Sequence, residues 1–336
     1  GFYAFLNRNK KGCTLNLKNE KAREMFYELV KDADAVVENY RPGVTKKLGV
    51  DYETLRKINP RLIYASGSGF GQTGPIAHRP CYDIVAQSMG GMVNLPGFKD
   101  TPPVKVGPSI ADHVAGIYLC VGFLLALYHR EKTGEGQQVD VSMLDTIFTL
   151  LENSIVKTTM QGIIPQRQGN IDPSIAPFDI YETTDGYIAL GVGNDRLFKT
   201  FCDVIGRPDL VENPLYLTND LRCQNYEDGL QQIIQDWTKQ YSKSELEKIF
   251  DEAGIPCGPV LDMKEAIEHP QIQAREMMVH CEHPLIGDMY FQGCPVKLSE
   301  TPPSIDTPAP LLGQHNKEIF HLTDEEYEKL KAEGVL

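Results

Sequence analysis

Asp112 is the acidic residue best placed to do chemistry. It stands in Gly107-Pro108-Ser109-Ile110-Ala111-Asp112-His113, at the head of a long apolar run. Two compatible readings follow. As a helix N-cap, its carboxylate accepts a backbone N–H of the first turn. As a nucleophile, it lies at the positive end of a helix, which favours the ionised form, and an ionised carboxylate attacks an activated acyl group. Two other clusters carry less. Gly67-Ser68-Gly69-Phe70-Gly71-Gln72-Thr73-Gly74 follows an apparent strand. Counted from Gly67, a dinucleotide fingerprint needs glycine at 72, where Gln72 stands, and Pro75 prolongs the loop instead of opening a helix. His280-Cys281-Glu282-His283 offers ligand-type side chains, but neighbours along a strand face opposite ways, so a solvated hairpin explains it better than a metal site. The chain contains neither G-x-x-x-x-G-K-[ST] nor G-x-S-x-G, so a P-loop and a serine-hydrolase elbow have no support.

The elements that position these residues alternate. Cys13–Leu17 reads as a strand and Asn19–Asp32 as a helix with its apolar face at Ala22, Met25, Phe26, Leu29 and Val30. Ala35–Glu38 is a second strand, Asp51 caps a short helix, and Arg61–Ser66 is a third strand. The β-α-β-α-β order predicts an α/β domain with a Rossmann-like, doubly wound parallel sheet and helices on both faces. Helices follow over Tyr82–Ser88, Asp112–Arg130 and Met143–Met160, with a strand at Gln138–Val141. We expect a large domain over residues 1–160 and a Pro-broken linker over 161–178. A smaller α+β domain over 179–265 carries a strand at Tyr187–Val192 and helices near Asp195–Ile205, Gly229–Gln240 and Ser244–Glu252. The remainder, 266–336, holds a hairpin at Met278–Pro295 and two short terminal helices.

Net charge is −13, from 33 Lys and Arg against 46 Asp and Glu, which argues against a general nucleic-acid or membrane-surface binder. Eight scattered cysteines without a C-x-x-C pair fit reduced thiols in the cytoplasm. The longest uncharged apolar run, Val114–Tyr128, is shorter than the roughly 20 residues of a membrane span, so we expect a helix buried in a protein core. The opening Gly1-Phe2-Tyr3 starts in mid-phrase, and the first βα unit of such a domain is expected to be missing.

Several phrases, in order along nearly the whole chain, resemble the class III coenzyme A transferases, the family of formyl-CoA transferase, carnitine CoA-transferase and the bile-acid-inducible transferases. They are Val37-Glu38-Asn39-Tyr40-Arg41-Pro42-Gly43, Asn59-Pro60-Arg61-Leu62-Ile63-Tyr64, Ser68–Pro75 and Tyr82-Asp83-Ile84-Val85-Ala86-Gln87. Thr133-Gly134-Glu135-Gly136-Gln137 with Val139-Asp140-Val141-Ser142, and Pro310-Leu311-Leu312-Gly313-Gln314-His315, complete the set. The resemblance implies that residues 266–336 return to pack on the large domain, and a homodimer whose chains interlock like links. It implies that Asp112 is the nucleophile and that Leu15, Asn16, Leu17 and Lys18, then Asn39, Tyr40, Arg41, Lys47 and Leu48, hold coenzyme A, with Tyr82 beside the thioester. Lys18, Arg41 and Lys47 also suit phosphates on physical grounds.

The implied chemistry moves coenzyme A from an acyl-CoA to a free carboxylic acid through an aspartyl anhydride and an aspartyl-CoA thioester. No permanently bound cofactor or metal takes part; the coenzyme A thioester is a substrate. Asp112, with an ordinary pKa of about 3.9, needs no separate base, although burial would raise that value. Developing oxyanions call for preorganised donors, and by position Gly90, Gly91, Gly169 and Asn170 are the candidates. Two alternatives stay open. An α-methylacyl-CoA racemase-like isomerase would need an acid/base histidine where Tyr82 stands, and a phenol of pKa about 10 is a poor proton shuttle at neutral pH. A non-catalytic CoA-binding protein is the other.

Overall fold

A computed structural model describes residues 1–336, which fall into two compact units. The first comprises residues 1–96, 103–165 and 273–336, and the second 97–102 and 166–272. In the first unit, α1 (Phe2–Asn7) precedes an extended segment with no strand at Cys13–Leu17. The backbone there pairs with the distant C-terminal segment instead of a neighbouring strand: Gly12 N–H donates to His315 Nδ1 (3.0 Å), Thr14 N–H to Asn316 Oδ1 (2.8 Å) and Asn16 N–H to the Val335 carbonyl (2.9 Å).

Apart from one unexpected short helix after the first strand, the following elements lie close to their expected places. Helix α2 (Glu20–Asp32) begins where the Asn19 side chain accepts the Lys21 N–H. Strand β1 (Ala35–Glu38) leads to the short α3 (Val44–Leu48), set between Gly43 and Gly49 in left-handed conformation. Helix α4 (Tyr52–Leu55) is capped by Asp51, and β2 (Ile63–Ser68), α5 (Asp83–Met89), α6 (Ile110–Thr133) and β3 (Gln138–Ser142) come next. The single helix expected over Met143–Met160 is two, α7 (Met143–Thr149) and α8 (Asn153–Gln161). Between them, bonds from Leu150 to Ile147 and from Leu151 to Phe148 tighten the chain into a turn, and Glu152 takes φ 45°.

Strands β1, β2 and β3 form one parallel sheet in that order, Ala35 opposite Ile63 and Tyr64 opposite Gln138. Ile63, Tyr64, Ala65 and Ser66 are buried, as befits a central parallel strand. Helix α6 packs on β2, β3, α5 and α7. It is not the buried core helix expected from its apolarity. Small residues, Ala111, Ala115 and Ala126, make its packed side, and Gly122 approaches so closely that a Cβ would stand 2.6 Å from Val139 Cγ1. The large side chains Ile117, Tyr118, Val121, Leu124, Leu125 and Tyr128 face outward, between 42% (Tyr118) and 66% (Leu125, Tyr128) exposed. With 24 residues and a mean hydropathy of 1.9 over its apolar window, α6 is also long and apolar enough to cross a membrane by length and composition. Its other face lies on an open parallel sheet, a structure that does not span bilayers.

In the second unit, β4 (Phe178–Glu182), β5 (Tyr187–Gly191) and, later in the chain, β6 (Cys257–Pro259) make an antiparallel sheet. Strand β4 is absent from the sequence reading, which ends a linker at Phe178. Helices α9 (Asp195–Val204), α10 (Asn219–Gln224), α11 (Gln231–Thr238) and α12 (Lys243–Glu252) complete a core containing Tyr181, Phe198, Phe201, Tyr226, Leu246 and Phe250. Two short helices follow, α13 (Met263–Glu268) and α14 (Pro270–Ala274). The expected hairpin is β7 (Met278–His283) and β8 (Gly287–Gln292), and α15 (Asn316–Ile319) and α16 (Asp324–Ala332) end the chain. The hairpin divides the His280–His283 quartet: Cys281 and His283 are buried, whereas His280 is exposed and bonds Asp288.

Candidate active site

The first unit gathers its chemistry-bearing residues where the parallel strands end, the usual ligand side of an open α/β sheet. Asn39, Tyr40 and Arg41 follow β1, and the glycine-rich loop follows β2. The two are tied, Asn39 Nδ2 donating to the Gly67 carbonyl at 2.5 Å. The loop is braced by Ser68 Oγ, which accepts the Gly71 N–H, and by Asp140 Oδ2, which accepts the Gln72 N–H, both at 3.0 Å. Counted from Gly69, the dinucleotide spacing is met by Gly69, Gly71 and Gly74, yet turns follow and no helix opens there. The context for a pyrophosphate at a helix terminus is therefore lacking.

Asp112 is the third residue of α6 and not its N-cap. Ser109 holds the cap position and makes no side-chain cap bond. The role falls to Asp83, a buried residue at the start of α5, whose Oδ1 accepts the Ala111 N–H at 2.8 Å. Its Oδ2 accepts from Gln87 Nε2 at 2.7 Å, and Gln87 Oε1 accepts the Val106 N–H at 3.0 Å. The Asp112 carboxylate has no hydrogen-bond or ion-pair partner in the chain and is exposed. Its pKa is nevertheless raised, first by loss of solvent and then by the Asp83 charge, with His113 opposing. Burial also pushes the Cys81 thiol up, and the Asp112 and Asp83 charges add to the effect. Tyr82, between Cys81 and Asp83, is the N-cap residue of α5, with its ring 80% exposed.

The segments expected to hold coenzyme A are joined by two residues of α2 that sequence reasoning missed. Arg23 Nη1 donates to the Leu17 (3.1 Å) and Lys18 (3.2 Å) carbonyls, and Tyr27 Oη donates to the Gly49 carbonyl (2.7 Å) just beyond Leu48. Lys18, Arg41 and Lys47 are exposed and take part in none of the chain's ion pairs. Their charges are free to meet an anion. Leu15 turns instead toward Ala22, Leu330 and Val335, and Asn16 bonds Gly334 and Val335.

The oxyanion assignment of Gly90 and Gly91 needs correction. Their N–H groups already donate to the Ala86 (2.8 Å) and Ser88 (3.3 Å) carbonyls. Gly90 is small for packing, since a Cβ would lie 2.5 Å from Ile147 Cγ2. Gly169 and Asn170 belong to the second unit, where the Gly169 N–H donates to the Gly97 carbonyl at 2.8 Å. The sequence did hold a signal for the Asp83 network: Asp83 and Gln87 are four apart, so they share one helix face.

Comparison with known proteins gives the class. Residues 1–316 match CoA-transferase family III. The chain belongs to this family and is a CoA-transferase, an enzyme of acyl-CoA chemistry. Among its relatives are acetyl-CoA:oxalate CoA-transferase of Acetobacter aceti, 42% identical over 89% of this chain and 75% of that protein, and succinyl-CoA–D-citramalate CoA-transferase of Chloroflexus aurantiacus, 35% identical over 100% of this chain and 84% of that one. Among solved structures, a CAIB/BAIF family protein from Brucella suis superposes with a TM-score of 0.83 at 33% identity, covering 95% of this chain and 82% of its own.

Proposed function

We propose that the protein transfers coenzyme A from a short acyl-CoA to a dicarboxylic acid through covalent intermediates on Asp112. The observation that carries the proposal is the unengaged Asp112 carboxylate in the first turn of α6, whose neighbouring N–H is capped by a different residue. A carboxylate Oδ attacks the thioester carbonyl, the C–S bond breaks, and the aspartyl-acyl anhydride and CoA thiolate form. The thiolate attacks the Asp112 carbonyl carbon of the anhydride, giving aspartyl-CoA and expelling the first acid as its carboxylate. The acceptor carboxylate attacks aspartyl-CoA, forming a new anhydride and releasing thiolate. That thiolate takes the acceptor's acyl group and Asp112 is regenerated. No net proton is consumed, so the cycle itself calls for no general base. A raised pKa makes the ionised carboxylate a better nucleophile.

Oxalate and D-citramalate, the acceptors in the relatives' names, support a dicarboxylic acid as acceptor. Lys18, Arg41 and Lys47 supply cations for the phosphates of coenzyme A, on a segment arrangement held by Arg23 and Tyr27. A second copy of the chain covers the exposed apolar face of α6, since six large apolar side chains along one helix mark an interaction surface. Eight unpaired cysteines suit a cytoplasmic enzyme.

The test is trapping. Incubation with formyl-, acetyl- or succinyl-CoA followed by borohydride and peptide mapping marks Asp112. Asp112→Asn loses both the mark and CoA exchange into oxalate or citramalate. Full exchange in Asp112→Asn refutes the assignment.

A further inference from the structure

The first turn of a helix has four N–H groups without intrahelical partners, and a local side chain usually serves them. Helix α6 is served from outside. Asp83 reaches from α5 to the Ala111 N–H, while Ser109, in the cap position, makes no side-chain bond. Asp83 and Gln87 are both buried, and their polar atoms form a continuous chain: Val106 N–H to Gln87 Oε1, Gln87 Nε2 to Asp83 Oδ2, Ala111 N–H to Asp83 Oδ1. Every group in this chain has a fixed polarity. The two N–H groups can only donate, so Gln87 must turn its oxygen to Val106 and its NH2 to Asp83. The residue at 83 must then accept on both oxygens. A carboxylate does so; an amide does not.

We propose that Asp83 is a positioning residue for Asp112, fixing the start of α6 from α5 so that the Asp112 carboxylate stays free and close to a second negative charge. The inference rests on the assignment of Asp112 as nucleophile. The Ala111 N–H, which the cap residue's own side chain would ordinarily serve, is taken by Asp83. The Asp112 carboxylate, at the third helical position, makes no capping-box bond back to the Ser109 N–H and is left free. The charged and titratable groups acting on Asp112 are Asp83 from α5 and His113 from its own helix, and the Cys81 thiol just before α5 is coupled to it. None from β2, β3 or α7, which also pack on α6, enters. Asp83 therefore raises the basicity of Asp112, which strengthens its attack on the thioester.

The experiment uses the full-length protein and two readouts. The first needs no substrate: carbodiimide with an amine labels protonated carboxyls, and the pH midpoint of Asp112 labelling is read by peptide mass mapping. In Asp83→Asn, which keeps the shape, the midpoint moves to lower pH, because one negative neighbour has gone. Asp83→Ser, which keeps one acceptor for Ala111 without the charge, serves if the amide variant does not fold, and moves it the same way. The second readout is CoA exchange between succinyl-CoA or acetyl-CoA and oxalate, expected to fall about 10- to 100-fold as the nucleophile loses its alignment. An unmoved labelling midpoint in the folded variants overturns the proposal. Absence of any covalent adduct on wild-type Asp112 overturns the nucleophile assignment instead, and the labelling midpoint still decides the role of Asp83.

Discussion

Gly69→Ala is a stringent test of how the glycine-rich loop meets the site. A Cβ built on Gly69 stands 2.1 Å from Cys81 Cβ, 3.0 Å from its Sγ and 3.5 Å from its Cα. Carbon atoms in contact prefer about 3.5–4.0 Å, so loop and Cys81 must part by roughly 1.5 Å. Gly69 is not in the left-handed region, so the effect is steric alone. Overpacking of this kind costs about 1–3 kcal/mol, which lowers Tm by roughly 2–12 °C for a unit of this size. Cys81 directly precedes Tyr82 and Asp83, and a displacement of about 1 Å at a reacting centre costs about 100-fold in rate. The assay is thermal unfolding together with CoA exchange in Gly69→Ala, alone and combined with Cys81→Ala or Cys81→Gly. Cys81→Ala retains the offending Cβ and gives little rescue, whereas Cys81→Gly removes it and restores both Tm and rate, a non-additive pair. Wild-type behaviour of Gly69→Ala, or equal rescue by the two partners, refutes the reasoning.

Arg23→Met releases the Leu17 and Lys18 carbonyls; steady-state kinetics should show KM for acyl-CoA rising about tenfold with kcat little changed, and an unchanged KM counts against a coenzyme A role for that segment. Leu125→Glu with Tyr128→Glu puts charge on the outward face of α6, and sedimentation velocity should show a smaller species than the wild type, which we propose is a dimer; equal mass for both sinks the assignment of that face. The raised pKa of Asp112 sets a sign for stability. The native state binds its proton more tightly than the unfolded chain, so stability falls as pH rises through the interval above the ordinary Asp value, and the deficit persists at neutral pH. Asp112→Asn should therefore unfold at a higher Tm than wild type at pH 7, with the gap closing below the ordinary carboxylate range; a lower Tm at pH 7 contradicts this.

Local signals carried much of the fold. Ala35–Glu38 is a strand with the expected bounds, and Asp51 and Asn19 cap the helices they precede, because a short polar side chain before an apolar periodic run satisfies its own neighbours. What failed was decided at long range. Cys13–Leu17 has a strand's alternation, but its backbone partners lie some 300 residues away. Apolarity all round α6 suggested burial, yet the side that packs is the one with small residues, a distinction of shape that hydropathy does not register. At the site, Asp112 was visible as an acid ahead of an apolar run. Its capping partner was not, since Asp83 and Ala111 are 28 residues apart and only the tertiary fold joins them. Glycine pairs suggested free amide donors, whereas the bonds from Gly90 and Gly91 end their own helix.

The pairing of residues 9–21 with the far end of the chain bears on biosynthesis. Asn9 bonds Ser304, Gly12 and Thr14 bond His315 and Asn316, Asn16 bonds Gly334 and Val335, and Lys21 pairs with Glu333. The stretch leading into Lys18 leaves the ribosome well before the groups that hold it, which lie some 300 residues further along (303 from Gly12 to His315). It waits, unpaired, until they are made. The second unit, whose core lies wholly within residues 171–257, can settle well before that. Ribosome-bound chains halted before residue 313 should therefore carry a protected second unit and a protease-sensitive segment around Lys10 to Lys21, sealed only when the C-terminal helices emerge.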